Sequence, residues 1–148
     1  MMANFDLDSI LKKAREQEEK YGWLFAAWSY EHAIRSYPEN NLFNAEFGQQ
    51  IGFCYKLAAR QSENEEEFNK LQLLSVKAYR DSEKHFQIVK DIKILGRAEY
   101  CAAQASFLEY KLESTFENKT KSLNNCQSFA KNALNQFQKT DYKLYVGM

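Results

Sequence analysis

Apolar residues recur every three or four positions along most of the chain, a spacing that predicts helices rather than strands. A first helix is predicted over residues 6–20, where Leu7, Ile10, Leu11 and Ala14 form a modest stripe and Asp6 and Asp8 suit the start. Gly22 breaks it. A second helix follows over residues 23–37 and is stopped by Pro38, which lacks a backbone N–H and clashes with the preceding turn. Phe43, Phe47, Ile51, Tyr55 and Ala58 predict a third helix over residues 41–61. Gly48 and Gly52 lie one turn apart within it. Each costs about 1 kcal/mol relative to Ala in a helix, so the pair asks for close approach of the second or fourth helix.

The stretch SENEEE at 62–67 is the clearest internal boundary. Ser62 with Glu65 fits a capping box, Asn64 is the alternative cap, and three glutamates favour a helix start through the dipole. The fourth helix, 65–90, carries Leu71, Ser75, Tyr79, Ser82 and Phe86 on one face. The fifth, 92–116, has an inner face rich in small residues, with Ala98, Cys101, Ala102 and Ala105 between Leu95 and Leu108. A polar turn at 117–121 leads into a sixth over 120–138. The tail, 139–148, lacks a clear period and reads as a loose end or the first turn of a further helix.

A pattern repeats within this series. Ala26, Tyr30 and Ala33 are followed by the aromatic Tyr37. Ser75, Tyr79 and Ser82 are followed by Phe86, and Cys126, Ala130 and Ala133 by Phe137, at the same offsets. The anchors stand 49 residues apart, from 26 to 75, and then 51, from 75 to 126. Self-similarity at this period points to stacked helical hairpins.

Residues 23–40, WLFAAWSYEHAIRSYPEN, place Ala26, Tyr30, Ala33 and Pro38 at gaps of four, three and five, and resemble the second helix of a tetratricopeptide repeat (TPR). Phe47-Gly48 resembles the large-then-glycine pair of that family's first helix. Lys13 and Gln17 depart from its pattern of large apolar and small residues. A period near 50 exceeds the roughly 34 residues of ordinary TPRs. Longer hairpins with Ala- and aromatic-rich helices resemble the soluble NSF attachment proteins, TPR-like adaptors of membrane traffic. The likeness spans residues 7–138.

The resemblance implies an all-α, right-handed α-solenoid in one TPR-like domain, 1–148, with antiparallel hairpins at about 6–38, 41–90 and 92–138. It implies a cytoplasmic adaptor or scaffold that binds a helix or peptide of a protein partner in a concave groove. Carrying the family's inward positions across gives Leu11, Arg15 and Glu18 on the first helix. It gives Ala45, Gln49 and Phe53 on the third, and Glu99, Ala103 and Phe107 on the fifth. The clamp with which some TPRs hold a chaperone's terminal carboxylate is not reproduced, because its places hold Leu11, Arg15 and Glu46.

Composition narrows the function further. One Pro and five Gly suit long helices, and twenty basic residues cancel twenty acidic ones, leaving no basic footprint for nucleic acid. Cys54, Cys101 and Cys126 are odd in number and far apart, which suits buried free thiols in a reducing cytosol. The N-terminus lacks a basic region followed by an apolar core, so no signal peptide is expected. His32 and His85 belong to no metal-ligand spacing, and no Walker-type loop, GxSxG or GxGxxG occurs. The expectation is therefore a non-enzymatic module with no cofactor. Two other readings use specific residues. One is a traffic adaptor that meets a membrane through Trp23, Leu24 and Phe25. The other is a sensor or enzyme domain with a pocket of Tyr55, Tyr79, Tyr100 and Cys101.

Overall fold

The computed structural model describes residues 2–89, 95–112 and 116–140. These residues form six α-helices and no strand: α1 Met2–Glu19, α2 Trp23–Ser36, α3 Asn41–Arg60, α4 Glu65–Val89, α5 Leu95–Leu112 and α6 Phe116–Thr140. The all-helical class expected from the apolar spacing holds. Each helix packs on the next one along the chain.

The helix ends follow from local chemistry. At the end of α1, Gly22 N–H donates to the Gln17 carbonyl (2.7 Å) and Tyr21 N–H to that of Glu18 (3.1 Å). Tyr21 takes the left-handed position, φ 62°, that glycine fills in most such endings. Asn40 caps α3, its Oδ1 accepting from Phe43 N–H at 3.0 Å. At α4 the cap is Asn64, which accepts from Glu67 N–H at 2.7 Å. Ser62 forms no box with Glu65. Its hydroxyl donates instead to the Ala59 carbonyl (2.5 Å) and so finishes α3.

Two predicted boundaries need correction. The first helix begins at Met2, four residues before the predicted start. The polar turn expected at 117–121 is helical backbone inside α6, because polarity without Gly or Pro does not break a helix. Residue 90 of the predicted fourth helix, residues 92–94 and 113–115 of the predicted fifth, and 141–148 of the tail lie outside the described residues.

Packing explains the two glycines. A Cβ on Gly52 would lie 2.8–2.9 Å from the Tyr79 ring, and one on Gly48 would lie 3.2 Å from Ser82 Cβ. It is therefore α4, of the two helices expected, that presses on α3. The contact is pinned by two buried hydroxyls. Ser75 donates to the Gly52 carbonyl (2.6 Å) and Ser82 to the Ala45 carbonyl (2.5 Å), so neither polar group is left unpaired. Cys101 of α5 donates to Ser82 in turn, at 3.4 Å.

The repeated pattern is realised unevenly. Ala26, Tyr30 and Ala33 are buried, as are Ser75, Tyr79, Ser82 and Phe86. In α6, Cys126 is half-buried, Ala130 is exposed, and the buried residues are Ser122 and Ala133. The side chain of Phe137 lies outside the described residues. Helix α6 packs on α5, and a narrow stripe suffices for one neighbour.

Candidate functional site

One face of α3 is only partly buried. Glu46, Gln49, Phe53, Lys56 and Arg60 recur at steps of three and four and so line one side of the helix. On α5, Arg97, Tyr100, Gln104, Phe107 and Lys111 recur at the same steps. The two rows meet. Arg97 Nη2 donates to Gln49 Oε1 (3.1 Å) and Nη1 pairs with Glu46 Oε1 (3.3 Å). Seven residues further along each helix, Lys56 Nζ donates to Gln104 Oε1 at 3.4 Å.

The chemistry of this face changes along its length. Near Arg97 the charges are balanced by Glu46. Towards the ends of α3 and α5, aromatic rings and cations gather. Trp23 packs on Phe53 at 5.7 Å between centroids, and Tyr21 lies edge-on to Trp23 at 6.3 Å. Lys56 Nζ sits 5.3 Å from the Phe53 centroid, and Lys111 Nζ sits 4.7 Å from that of Phe107. Burial, and then repulsion from Arg60 and Lys111, push the Lys56 ammonium below its ordinary range. Among the described residues no carboxylate forms an ion pair with Lys56, Arg60 or Lys111. Phe107 is 38% exposed and Tyr21 70% exposed, so this end presents large rings to solvent.

The residues singled out from sequence fall in different places. Gln49, Phe53 and Phe107 lie on the face just described, and Arg15 is exposed on α1. Leu11 packs against the core formed by α1 to α4. Glu18 is tied into the fold, accepting from Gln50 Nε2 (2.7 Å), from Cys54 Sγ (3.7 Å) and from the Tyr30 hydroxyl. Ala45 is wholly buried and Ala103 nearly so, so neither offers surface to a partner. Glu99 faces α4 and α6. Burial and then the charge of Glu83 raise its carboxyl, while a hydrogen bond from Asn132 opposes them. The expected register on α5 is thus one residue off, with Tyr100 and Gln104 standing where Glu99 and Ala103 were placed. Lys56, Arg60, Arg97 and Lys111 were missed, although their shared three-and-four steps mark them.

A second concavity of about 320 Å³ opens between α2 and α4 over α3. Glu31, Arg35, Asn44, Tyr55, Asp81 and His85 are among its walls. The Tyr55 hydroxyl donates to Glu31, and His85 Nδ1 bonds Asn41 Oδ1 at 3.0 Å. Asn44 Nδ2 donates to the Pro38 carbonyl (2.9 Å), which orients the amide and leaves Oδ1 buried without a partner. Of the four residues expected to line a pocket, only Tyr55 reaches this one. Tyr79 and Cys101 are core residues.

The cysteines are free, with Cys54 and Cys101 buried. Burial is the main cause that pushes the Cys101 thiol up to about 12, and it raises Cys54 further with help from Glu18. Among the described residues no group of three or more His, Cys, Asp or Glu is placed to hold a metal ion, and no helix is long and apolar enough to cross a membrane. Compared with family models, curated proteins and solved structures, the chain matches none.

Proposed function

We propose that this chain is a TPR-like interaction module: three antiparallel hairpins, α1–α2, α3–α4 and α5–α6, stacked as a right-handed solenoid. The face shared by α1, α3 and α5 takes a helix or extended peptide of a protein partner. The stacking is supported by contacts between α3 and α5: Gln49 with Arg97 and Lys56 with Gln104 are each separated by 48 residues, and Arg97 also reaches Glu46, one turn before Gln49. A constant separation is what parallel, in-register neighbours produce.

The observation that carries the binding role is the grouping of the half-buried Trp23 and Phe53 and the exposed Phe107 with three cations that pair with no carboxylate among the described residues, in a chain of zero formal net charge. Partly open aromatic rings beside uncompensated charge are the chemistry of a protein-binding surface. The test is affinity capture from lysate of the cells that make the protein, comparing wild type with a Phe53→Ala, Phe107→Ala variant that keeps its circular dichroism. Proteins captured by wild type and lost with the variant support the role. An identical set from both overturns it.

The cavity between α2 and α4 favours a second reading, a small-molecule sensor, because Glu31, Arg35, Asn44 and Tyr55 gather around about 320 Å³ of open space. Native mass spectrometry of the purified protein, showing a bound mass lost on Tyr55→Phe or Asn44→Ala substitution, would support that reading over the first.

A further inference from the structure

The first and last helices of the series differ in what they turn outward. The exposed positions of α6 include Lys119, Lys121, Asn124, Asn125 and Lys131 with one large apolar side chain, Leu134, 38% exposed, a mostly polar surface of the kind that closes a helical stack. The outward side of α2 carries Phe25, 58% exposed, and Trp28, 50% exposed, with ring centroids 5.5 Å apart at an interplanar angle of 89°. His32 follows one turn later. Beside them α1 presents Lys13, Glu16 and Gln17. The two helices border a groove of about 310 Å³. The Ser29 hydroxyl in its wall is already satisfied by the Phe25 carbonyl, at 3.1 Å. Two large rings half open to water have a solvation cost with no gain inside the fold, which marks the groove as an interaction surface.

We propose that this α1–α2 groove is a two-fold contact between two copies of the chain. Its charges select that occupant. Lys13 and Glu16 stand three residues apart on one helix, so the patch is close to neutral and carries both signs. In a two-fold contact residue i meets j while j meets i, so each copy's lysine faces the other's glutamate. An anionic membrane or a polyanion would call for an excess of cations, and Glu16 offsets Lys13. Head-to-tail growth would set these two rings against α6, whose exposed positions among the described residues hold one large apolar side chain, Leu134, among lysines and asparagines. The contact therefore closes at two copies. It leaves the face of Phe53 and Phe107 free, and it stands whether or not that face binds a partner.

The test is sedimentation equilibrium from low micromolar to several hundred micromolar protein. Wild type is expected to pass from monomer to dimer, with a concentration-dependent blue shift of tryptophan emission that a Trp28→Phe variant lacks. Trp28→Glu, at an exposed site and therefore expected to fold, should raise the dimer dissociation constant at least about tenfold. Lys13→Glu alone and Glu16→Lys alone should each weaken the dimer, because each sets like charges face to face. An equimolar mixture of those two variants should dimerise again, since every facing pair is then of opposite sign. Three results would overturn the proposal: a wild type that stays monomeric throughout, a dimer indifferent to Trp28→Glu, or a mixture no tighter than its separate components.

Discussion

Two sides of α3 have contrasting designs. The side towards α4 is made of Ala45, Gly48 and Gly52, with backbone carbonyls close enough for Ser75 and Ser82 to bond across the interface. The face about a quarter-turn round from it carries Gln49, Phe53, Lys56 and Arg60; Phe53 packs on Trp23 of α2, and Gln49 and Lys56 bond to Arg97 and Gln104 of α5. Small residues on the first face bring two backbones together and set the spacing of the helices. Large residues on the second are only partly buried. A helix that is pressed tightly on one face can hold the adjacent face in a defined position, which a recognition surface needs.

Substitutions at the glycines break this contrast most strongly. Gly52→Leu should destabilise the protein by about 3 kcal/mol or more, because the added side chain meets the buried Tyr79 ring. Gly48→Ala is the control. Its new methyl group meets Ser82 Cβ at 3.2 Å, with Ser82 Cα and the Ala78 carbonyl oxygen at ordinary contact, and about 1 kcal/mol of regained helix propensity offsets the crowding. Urea melts of the two variants should therefore separate widely, and equal midpoints would show that α4 does not set the approach.

A second test uses pH. The Cys101 thiol rises from its ordinary 9.0 to about 12 in the folded protein, mainly through burial, and Cys54 is raised too. A raised thiol adds stability that is complete below the unfolded value and is lost as pH climbs through the folded one. The midpoint of chemical denaturation should hold steady up to about pH 9 and fall between about 9 and 12. The buried tyrosines Tyr30, Tyr55 and Tyr79, also raised, act in the same direction. Alkylation at neutral pH should reach the half-buried Cys126 before Cys54 or Cys101.

The smallest effect on stability is expected on the open side. Phe53→Ala with Lys56→Gln should shift the melting temperature by only a few degrees, about 1 kcal/mol for a chain of this size, while weakening the proposed partner contact. A large drop in melting temperature would move both residues from the recognition face into the core.

How far these features could be read in the sequence depended on how wide an arc of each helix is buried. The stripes of α2 and α4 were legible because each packs between two helices and one strong face survives in the spacing. The glycines of α3 were legible because a glycine inside a helix requires a reason. The α5 register was not, since Ala98, Ala102, Ala103 and Ala105 are all buried and a helix covered on several sides has no single apolar phase. Glu18 was read as facing a groove, but Gln50 and Cys54, which hold it in place, lie more than thirty residues away. The third copy of the repeat failed on Ala130, because small residues at four and three steps are common in helices and α6 uses a different set. Lys56, Arg60 and Lys111 are ordinary helix-terminal cations in the sequence, and only folding shows that they crowd one another.

Packing each helix on its neighbour in the chain has a kinetic consequence. Most contacts form between helices that are adjacent in the chain, so little loop-closure entropy opposes them and folding belongs to the fast, locally connected regime. Helix α3 bonds to α1 through Gln50, to α2 through Tyr55, to α4 through the Gly52 carbonyl and to α5 through Gln49. Its amides are therefore the slowest to exchange with solvent, and the molecule opens from its two ends inward, losing α6 and α1 while the α3–α4 pair still holds.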